Sequence, residues 1–263
     1  MLNRMQKKIA LSYLGKEHGQ KFWYNLYRLS INKMNYGPGA DFHNSGEKEV
    51  IDYLKRLYNN EKIVIFDVGA NIGSYTNMVL DCLGDQAYVH AFEPSATTFE
   101  KLQNNVNNEN VKLNNVGCSN TNQTMLLYGN DNDSGITSVY PRRLGFCGIS
   151  MKESEQSEFI RIDDYCQEND VGHIHLLKLD VEGHELSALK GAQGMIDNNN
   201  IDFIQFEFGG CNIDSRTFFQ DFYYFLHDKY KIYRVLQNGL YEIEQYSNYL
   251  EIFVTVNYLA MHR

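Results

Sequence analysis

The chain has 263 residues, of which 43% are hydrophobic and 22% are charged, and its formal net charge at pH 7 is −9. This length suits one large domain, or one domain with an appendage, and leaves room for a full hydrophobic core. The composition excludes a disordered or collagen-like chain. The acidic balance argues against duplex nucleic acid as the main partner, because phosphate contacts supply most of the affinity in such complexes.

Residues 1–44 are predicted to form an N-terminal helical cap. Apolar residues recur at mixed helical spacings between residues 5 and 34, and a loop rich in glycine, proline and asparagine follows them. Residues 1–33 carry seven Lys or Arg against the single acid Glu17, so this arm is basic whereas the remaining chain is acidic. The arm could contact a phosphate or a membrane surface, but we expect it to pack against the acidic body of the protein itself.

Residues 45–263 are predicted to form one Rossmann-like domain. Continuous apolar strands separated by amphipathic helices predict a mostly parallel sheet with helices on both faces, which is a doubly wound α/β architecture. The predicted strands span residues 63–67, 87–92, 111–116, 174–180, 201–208, 231–236 and 250–258. The predicted helices span residues 75–83, 97–107, 184–196 and 216–227. Asn44 with Glu47 resembles a capping box that opens another helix before them.

The alternation lapses from residue 120 to residue 157. Short strand-like pieces at 125–128 and 136–140 are separated by 129-GNDNDSG-135, which has the composition of a turn. We interpret this region as an insertion beside the ligand-binding edge of the sheet. The last apolar run, 250–258, suits an antiparallel strand inserted into the sheet near the end of the chain.

The cysteines and the hydropathy indicate a cytoplasmic protein. The five cysteines include no CxxC pair, so neither a zinc knuckle nor a disulfide framework is predicted, and a reducing compartment is the simpler expectation. The sequence has no apolar run of about 18 residues, the minimum for a transmembrane helix, and no signal-peptide core at its N-terminus. We therefore expect a soluble protein without stable membrane insertion, and a homo-oligomer is compatible with the sequence.

The turn after the first strand, 67-DVGANIG-73, has the composition of a nucleotide-binding loop. Gly69 and Gly73 allow the backbone to approach a ligand and direct the amides of the next helix towards it. The spacing lacks the third glycine of the GxGxxG pattern expected for NAD. Asp67 at the strand end suits a ligand with an ammonium or sulfonium charge, and Glu93 is placed to accept ribose hydroxyls. These features favour S-adenosylmethionine over NAD.

Four segments together resemble the motifs of the FkbM family of S-adenosylmethionine-dependent methyltransferases. They are 66-FDVGANIGSYT-76, 92-FEP-94, 115-NVG-117 and 177-LKLDVEGHELSALKGA-192. The resemblance covers residues 47–208, and the combination of DVGANIG with KLDVEGHE is specific. It implies a class I (Rossmann-like) methyltransferase fold, with a seven-stranded sheet of order 3-2-1-4-5-7-6 whose last strand is antiparallel. It also implies O-methylation, commonly of sugar hydroxyls in surface glycans or natural products.

The resemblance further implies roles for individual residues. Seven residues would bind S-adenosylmethionine: Asp67, Gly69, Asn71 and Gly73 at its methionine portion, Glu93 at its ribose, and Asn115 and Gly117 near its adenine. The cap and the insertion match the family less well, so we expect these parts to select the acceptor, a sugar or nucleotide sugar.

The chemistry of methyl transfer points to 180-DVEGHE-185, at the end of the fourth main strand. The acceptor oxygen must be held in line with the methyl group, and a sugar hydroxyl must also lose its proton. We expect His184 to be the general base, because an imidazole is largely neutral at pH 7. Asp180 would orient the acceptor or lie beside the sulfonium, and Glu182 would hold a substrate hydroxyl. Glu185 is expected only to complement a helix N-terminus.

A metal-assisted mechanism is the alternative within this chemistry. Asp180, Glu182 and Glu207 could supply hard oxygen ligands to magnesium, which would acidify a coordinated hydroxyl. Their spacing is not diagnostic of a metal site, so magnesium is not favoured and no metal ligands are predicted.

Three other functions are alternatives to sugar methylation. A protein that binds S-adenosylmethionine without catalysis would share the same loop, and only activity separates it from an enzyme. An NAD-dependent sugar-nucleotide oxidoreductase is disfavoured by the missing glycine and by the absence of an evident YxxxK pair. A nucleic acid N-methyltransferase would need a proline-containing turn after the fourth strand to grip a flipped base, and no proline follows Pro141.

Overall fold

The computed structural model describes residues 15–37, 42–59, 61–130 and 133–263, which form an α/β fold. Its strands are β1 (Ile63–Val68), β2 (Ala87–Phe92), β3 (Val111–Asn114), β4 (Gly117–Cys118), β5 (Gln123–Asn130), β6 (Asp133–Ser138), β7 (Lys152–Ile160), β8 (Ile174–Leu179), β9 (Ile201–Phe208), β10 (Tyr230–Leu236), β11 (Gly239–Glu242) and β12 (Val256–His262). Its helices are α1 (Gln20–Lys33), α2 (Phe42–Ser45), α3 (Glu47–Tyr58), α4 (Ser74–Leu83), α5 (Ala96–Asn105), α6 (Ile162–Glu168), α7 (Glu185–Gly191), α8 (Gln193–Asp197), α9 (Cys211–Ser215) and α10 (Phe219–Leu226).

Eight strands form the main sheet, in the order β11-β10-β12-β9-β8-β1-β2-β3. The five strands β9, β8, β1, β2 and β3 run parallel to one another, whereas β12 runs antiparallel to both β9 and β10. When β11 is left out and the other seven strands of this sheet are renumbered 1 to 7 along the chain, the order read from β3 is 3-2-1-4-5-7-6. This order confirms the expected class I methyltransferase fold. The expected count of seven strands was wrong by one, because β11 pairs antiparallel with β10 and extends the sheet edge.

The final strand begins later than the sequence predicts. The apolar run at 250–258 contributes only its last residues to β12, which extends to His262. The start of that run is not a strand, because Asn248–Leu250 forms a short 3-10 helix. The carboxylate of Glu251 then accepts hydrogen bonds from the first backbone amides of α10. The helix predicted at 184–196 is likewise divided, into α7 and α8.

A second sheet of four strands, in the order β4-β7-β5-β6, is formed by the region where the alternation lapses and by the residues directly before and after it. β5 pairs antiparallel with β6 and β7, and β4 pairs parallel with β7. The strand predicted at 111–116 ends at Asn114, and the chain crosses into this second sheet at Gly117. The insertion thus packs beside the carboxyl edge of the main sheet, where its residues line the cavities described below.

The structure describes only part of the predicted N-terminal cap. α1 and α2 are helical, whereas residues 1–14 and 38–41 lie outside the described residues, and with them Arg4, Lys7 and Lys8 of the basic arm. The division between the cap and the domain at residue 44 stays a prediction.

The hydrophobic core lies on both faces of the main sheet because its central strands are apolar on both sides. On one face, the ring of Phe206 stacks on Phe222 of α10 at 4.7 Å and on Tyr258 of β12 at 5.5 Å between centroids. On the other face, Ile51 and Leu54 of α3 are fully buried. The sheet is therefore a rigid platform for the loops at its edge.

The stacked ring of Phe222 gives a test of this core. We expect Phe222→Ala to lower the free energy of unfolding by about 3 to 5 kcal/mol, because it removes a buried ring and leaves a cavity. Tyr224→Ala is the matched control, since Tyr224 lies on the same helix with 55% of its surface exposed. Denaturant unfolding followed by circular dichroism measures both, and equal losses for the two variants would contradict this packing.

Candidate active site

The turn that follows β1 is held against the ends of both neighbouring strands. The backbone amides of Gly69 and Ala70 donate to the carbonyl oxygen of Phe92, over 3.0 and 2.9 Å. On the other side, a Cβ atom at Gly69 would lie 1.9 Å from the carbonyl oxygen of Asp180. Gly69 also has a φ of +86°, a conformation that glycine adopts without strain. The turn is thereby fixed at the carboxyl edge of the sheet, where ligands of such folds bind.

Two adjoining cavities open at this edge. The smaller one lies between the main sheet and the insertion, and its lining includes Glu93, Gly117, Leu127, Phe159 and His184. The larger one has a volume of about 430 Å³, and its lining includes Glu47, Tyr75, Lys178, Glu207 and Thr255. Five residues line both cavities and form the wall between them: Gly69, Asn71, Gly135, Asp180 and Glu182.

Most of the residues predicted for the site line these cavities. They are Gly69, Asn71, Glu93, Gly117, Asp180, Glu182 and His184. The other three, Asp67, Gly73 and Asn115, lie behind the lining. Gly73 packs against α5, where a Cβ atom would meet Val106 at 2.4 Å. Asn115 donates to the carbonyl oxygen of Glu93 over 2.9 Å and so holds that residue in place.

The carboxylate of Glu93 is held by two backbone amides at the edge of the smaller cavity. Asn71 donates to one of its oxygens over 3.0 Å, and Ser95 donates to the other over 2.9 Å. Burial raises the pKa of Glu93 to about 7, although these two amides oppose the rise. Each oxygen keeps a free lone pair, so the group can accept further hydrogen bonds from a ligand.

Asp67 is fully buried beneath the turn, and its partners are internal. It accepts hydrogen bonds from the hydroxyl of Thr76 over 2.6 Å and from Lys178 Nζ over 3.3 Å. The same ammonium lies 3.3 Å from a carboxylate oxygen of Asp180 and 4.4 Å from the ring centre of Tyr75. Burial lowers the pKa of Lys178, but Asp67, Asp180 and Glu47 outweigh it and keep that pKa above its usual value. Lys178 is therefore a buried cation that ties β1 to β8.

Two further carboxyl groups in the larger cavity have altered acidity. Burial raises the pKa of Glu47, whose oxygens accept from Ser45 over 3.0 Å and from Gln205 over 3.2 Å. The expected capping box of Asn44 with Glu47 was wrong, because the N-cap residue of α3 is Gly46, which has no side chain to cap the helix, and the carboxyl group of Glu47 is turned inwards. Burial, together with Asp180 and Glu182, raises the pKa of Glu207 well above its usual range.

The turn after β8 is built around a buried glutamate. The backbone amides of Val181 and Gly183 donate to one carboxylate oxygen of Glu185, over 3.0 and 3.1 Å. Burial raises the pKa of Glu185 to about 7. Glu182 has a left-handed φ of +51° within this turn. Glu185 thus supports the turn, whereas Glu182 is directed towards the cavities.

Residues of the insertion hold Glu182 from the opposite side. Arg142 donates from Nη1 to its carboxylate, and the hydroxyl of Ser138 donates to its backbone carbonyl over 2.8 Å. Arg142 is largely buried, with 11% of its side chain exposed. Sequence reasoning missed Arg142, because an arginine in an irregular insertion carries no local signal of its distant partner.

His184 is buried, and both of its ring nitrogens have partners. Nε2 lies 2.9 Å from the hydroxyl of Ser119, and Nδ1 lies 3.1 Å from the hydroxyl of Tyr140. Burial lowers the pKa of His184 to about 4, so the ring is neutral at pH 7. The arrangement links the turn after β8 to the insertion and leaves no ring nitrogen without a partner.

Among the described residues, one group of potential metal ligands lies at the site: Glu182, Glu207 and Cys211, with ligand atoms within 4.8 Å of one another. Burial raises the pKa of the Cys211 thiol, and a thiol is not a ligand that magnesium prefers. Asp180, which the magnesium alternative required, is not in this group.

Residues 67–235 match the family model of the methyltransferase FkbM domain. The chain belongs to this family. It is 30% identical over 168 residues to the hexuronic acid methyltransferase AglP of Haloferax volcanii, a match that covers 62% of this chain and 64% of that protein. It is 28% identical over 163 residues to Methyltransferase 1 of Beauveria bassiana, covering 53% of this chain and 61% of that protein. The matches thus span less than two thirds of either relative.

Solved structures with related folds are more distant. A S-adenosylmethionine-dependent O-methyltransferase from Thermotoga maritima has 9% identity and a TM-score of 0.41, with 82% of this chain and 65% of that chain covered. The O-methyltransferase TomG from Streptomyces achromogenes has 10% identity and a TM-score of 0.41, with coverages of 82% and 79%. The family assignment depends on the family match, and the fold assignment depends on the strand order.

The close approach at Gly69 gives a direct test of the turn. We expect Gly69→Ala to lower the free energy of unfolding by at least about 2 kcal/mol, because the added methyl meets backbone and the left-handed φ is strained. Gly172→Ala is the matched control, since nothing lies within 4 Å of a Cβ atom at that position. Thermal unfolding of the two variants measures the difference, and an unchanged midpoint for Gly69→Ala would contradict the described turn.

Proposed function

We propose that this protein transfers a methyl group from S-adenosylmethionine to a hydroxyl oxygen of a sugar. The observation that carries this proposal is that the carboxylate of Asp180 lies in the wall shared by the two cavities. A methyl donor in the smaller cavity and an acceptor in the larger one would meet at this group. Membership in the FkbM methyltransferase family supports the same reaction.

The smaller cavity suits the nucleoside of the cofactor. The carboxyl group of Glu93 in its lining is oriented by two backbone amides and retains lone pairs for two ribose hydroxyls. The apolar side chains of Leu127 and Phe159 line the same space and suit the face of an adenine. When bound, S-adenosylmethionine supplies a methyl group attached to a positively charged sulfur. The carboxylate of Asp180 lines the cavity that the cofactor would occupy and places negative charge there.

The larger cavity suits a sugar. Four of its lining residues carry carboxyl groups that can accept hydrogen bonds from hydroxyls: Glu47, Asp180, Glu182 and Glu207. The hydroxyl-bearing side chains Ser74, Tyr75 and Thr255 line it as well. The relative named hexuronic acid methyltransferase, at 30% identity, supports a sugar acceptor. We propose that this acceptor is a nucleotide sugar or the sugar of a glycan or glycoside.

Within the cavity wall, we assign proton removal to Asp180 rather than to His184. The carboxylate of Asp180 has 38% of its side chain exposed and is anchored by the buried ammonium of Lys178. It can take the hydroxyl proton as the acceptor oxygen gains the methyl group, so the oxygen ends as a neutral methyl ether. The two hydroxyl partners of His184 give that ring a positioning role. Glu182, oriented by Arg142, would hold a neighbouring sugar hydroxyl.

Replacing the proton acceptor should abolish turnover but not cofactor binding. We expect Asp180→Asn to lower kcat by about 100- to 10,000-fold, the range typical of losing a general base. The affinity for S-adenosylhomocysteine should change little, because the amide has nearly the same shape and Asp67 still pairs with the buried ammonium of Lys178. Asp228→Asn is the control, since Asp228 has 88% of its side chain exposed. Transfer of an isotope-labelled methyl group to hexuronic acid glycosides measures turnover. Undiminished turnover in Asp180→Asn would contradict this role. If neither the wild type nor the two variants transferred methyl groups, a non-catalytic binding protein would be favoured.

The raised pKa of Glu93 predicts that cofactor binding depends on pH. Below its pKa of about 7 the carboxyl group is protonated and cannot accept both ribose hydroxyls. The affinity for S-adenosylhomocysteine should therefore fall on the order of tenfold from about pH 8 to about pH 6. Calorimetric titration of the wild type and of Glu93→Gln measures this, because the amide cannot titrate. The same pH dependence in both proteins would assign the effect to another group.

A further inference from the structure

Helix α1 presents a broad apolar surface to solvent. The exposed fractions of Phe22, Trp23, Leu26 and Leu29 are 62%, 42%, 41% and 54%. Their spacing places them along one side of the helix. Ile31 is the only residue of α1 that is buried. Exposed apolar patches of this kind mark interaction surfaces in soluble proteins, so α1 lacks its partner within the described residues.

The same helix is basic throughout. Its sequence, QKFWYNLYRLSINK, contains three cations and no acid. Lys21 and Arg28 follow the polar side of the helix, and Lys33 lies in its last turn. None of the three forms an ion pair with a carboxylate within the described residues, and Arg28 instead lies 5.9 Å from the ring centre of Tyr24. The expected packing of the basic arm against the acidic body is therefore not seen for α1, and its charge suits an anionic partner outside the chain.

We propose that α1 docks on the surface of an anionic phospholipid bilayer. An amphipathic helix with Trp, Phe and Leu on one side and Lys or Arg beside them binds in the plane of the membrane interface. Tryptophan and tyrosine rings favour the level of the head groups, and anionic lipids attract the cations. Docking in this plane is distinct from spanning the bilayer, for which every helix in the described parts of the chain is too short or too polar.

The helix is joined firmly to the catalytic body. The amide of Gly37 donates to the carbonyl oxygen of Thr255 over 2.8 Å, and Thr255 lines the larger cavity. Arg234 donates to the hydroxyl of Tyr36 over 3.1 Å, and that hydroxyl lies 3.3 Å from the hydroxyl of Tyr258. Docking of α1 would therefore hold the larger cavity at the membrane, whether or not the protein catalyses the proposed methyl transfer.

The test uses Trp23, which is the only tryptophan in the chain. Its fluorescence therefore reports on α1 alone. We expect the emission of the full-length protein to shift to shorter wavelength with phosphatidylcholine vesicles that contain phosphatidylglycerol. Pure phosphatidylcholine vesicles should give a much smaller shift, and added salt should reverse binding, because salt screens exposed charges.

Two sets of variants separate charge from apolar contact. Replacing Lys21, Arg28 and Lys33 together with Gln should weaken vesicle binding on the order of a hundredfold, because each cation near an anionic surface contributes to affinity. Replacing Phe22, Leu26 and Leu29 together with Ser keeps the probe and should also abolish the shift. Tyr249→Ser is the control that should bind normally, since Tyr249 is 86% exposed on a different element.

Two outcomes would overturn the proposal. The first is an emission maximum that anionic vesicles leave unchanged, or that both kinds of vesicle shift equally. The second is a blue shift without vesicles that grows with protein concentration while sedimentation velocity shows a dimer, because a second copy would then cover the apolar face of α1.

Discussion

The buried ammonium of Lys178 is the interaction on which the site depends. A buried charge is costly unless it is paired, and breaking such a pair leaves an uncompensated ion in the interior. Asp67 from β1 and Asp180 after β8 are its two partners, and Thr76 of α4 holds Asp67 from the other side. The constraint fixes the ends of two adjacent strands and the start of the following helix relative to one another.

The fixed strand ends place the carboxyl groups of the site in different environments. Glu185 is enclosed and supports a turn, whereas Glu93 faces a cavity with both oxygens oriented by amides. Burial, together with the surrounding acids, raises the pKa of Glu207 well above its usual range. Asp180 has a cation beside it and an open path to both cavities. Groups of one chemical type thus acquire separate roles through burial and neighbours.

The sequence predicted the parts of the fold and site that depend on local pattern. Apolar runs separated by amphipathic helices predict the parallel sheet, and the glycines after β1 predict the turn. Both predictions succeed because each pattern lies within a few residues of the chain. Contacts between distant segments were not predictable in this way. Tyr140 beside His184 and Arg142 beside Glu182 come from the insertion, which has no regular period. Glu47 turns towards Gln205 rather than capping its own helix. The extra strand β11 was missed because it has only four residues, too few to show a strand pattern.

The central claim is that the edge of the sheet beside Asp180 binds S-adenosylmethionine. The most direct measurement is the thermal midpoint of unfolding with S-adenosylhomocysteine and, separately, with NAD. A ligand at a hundred times its dissociation constant stabilises the folded state by about 2.7 kcal/mol, which raises the midpoint by roughly 2 to 4 °C per kcal/mol for a chain of this size. Our account predicts a rise with S-adenosylhomocysteine and none with NAD. A rise with NAD alone would contradict it.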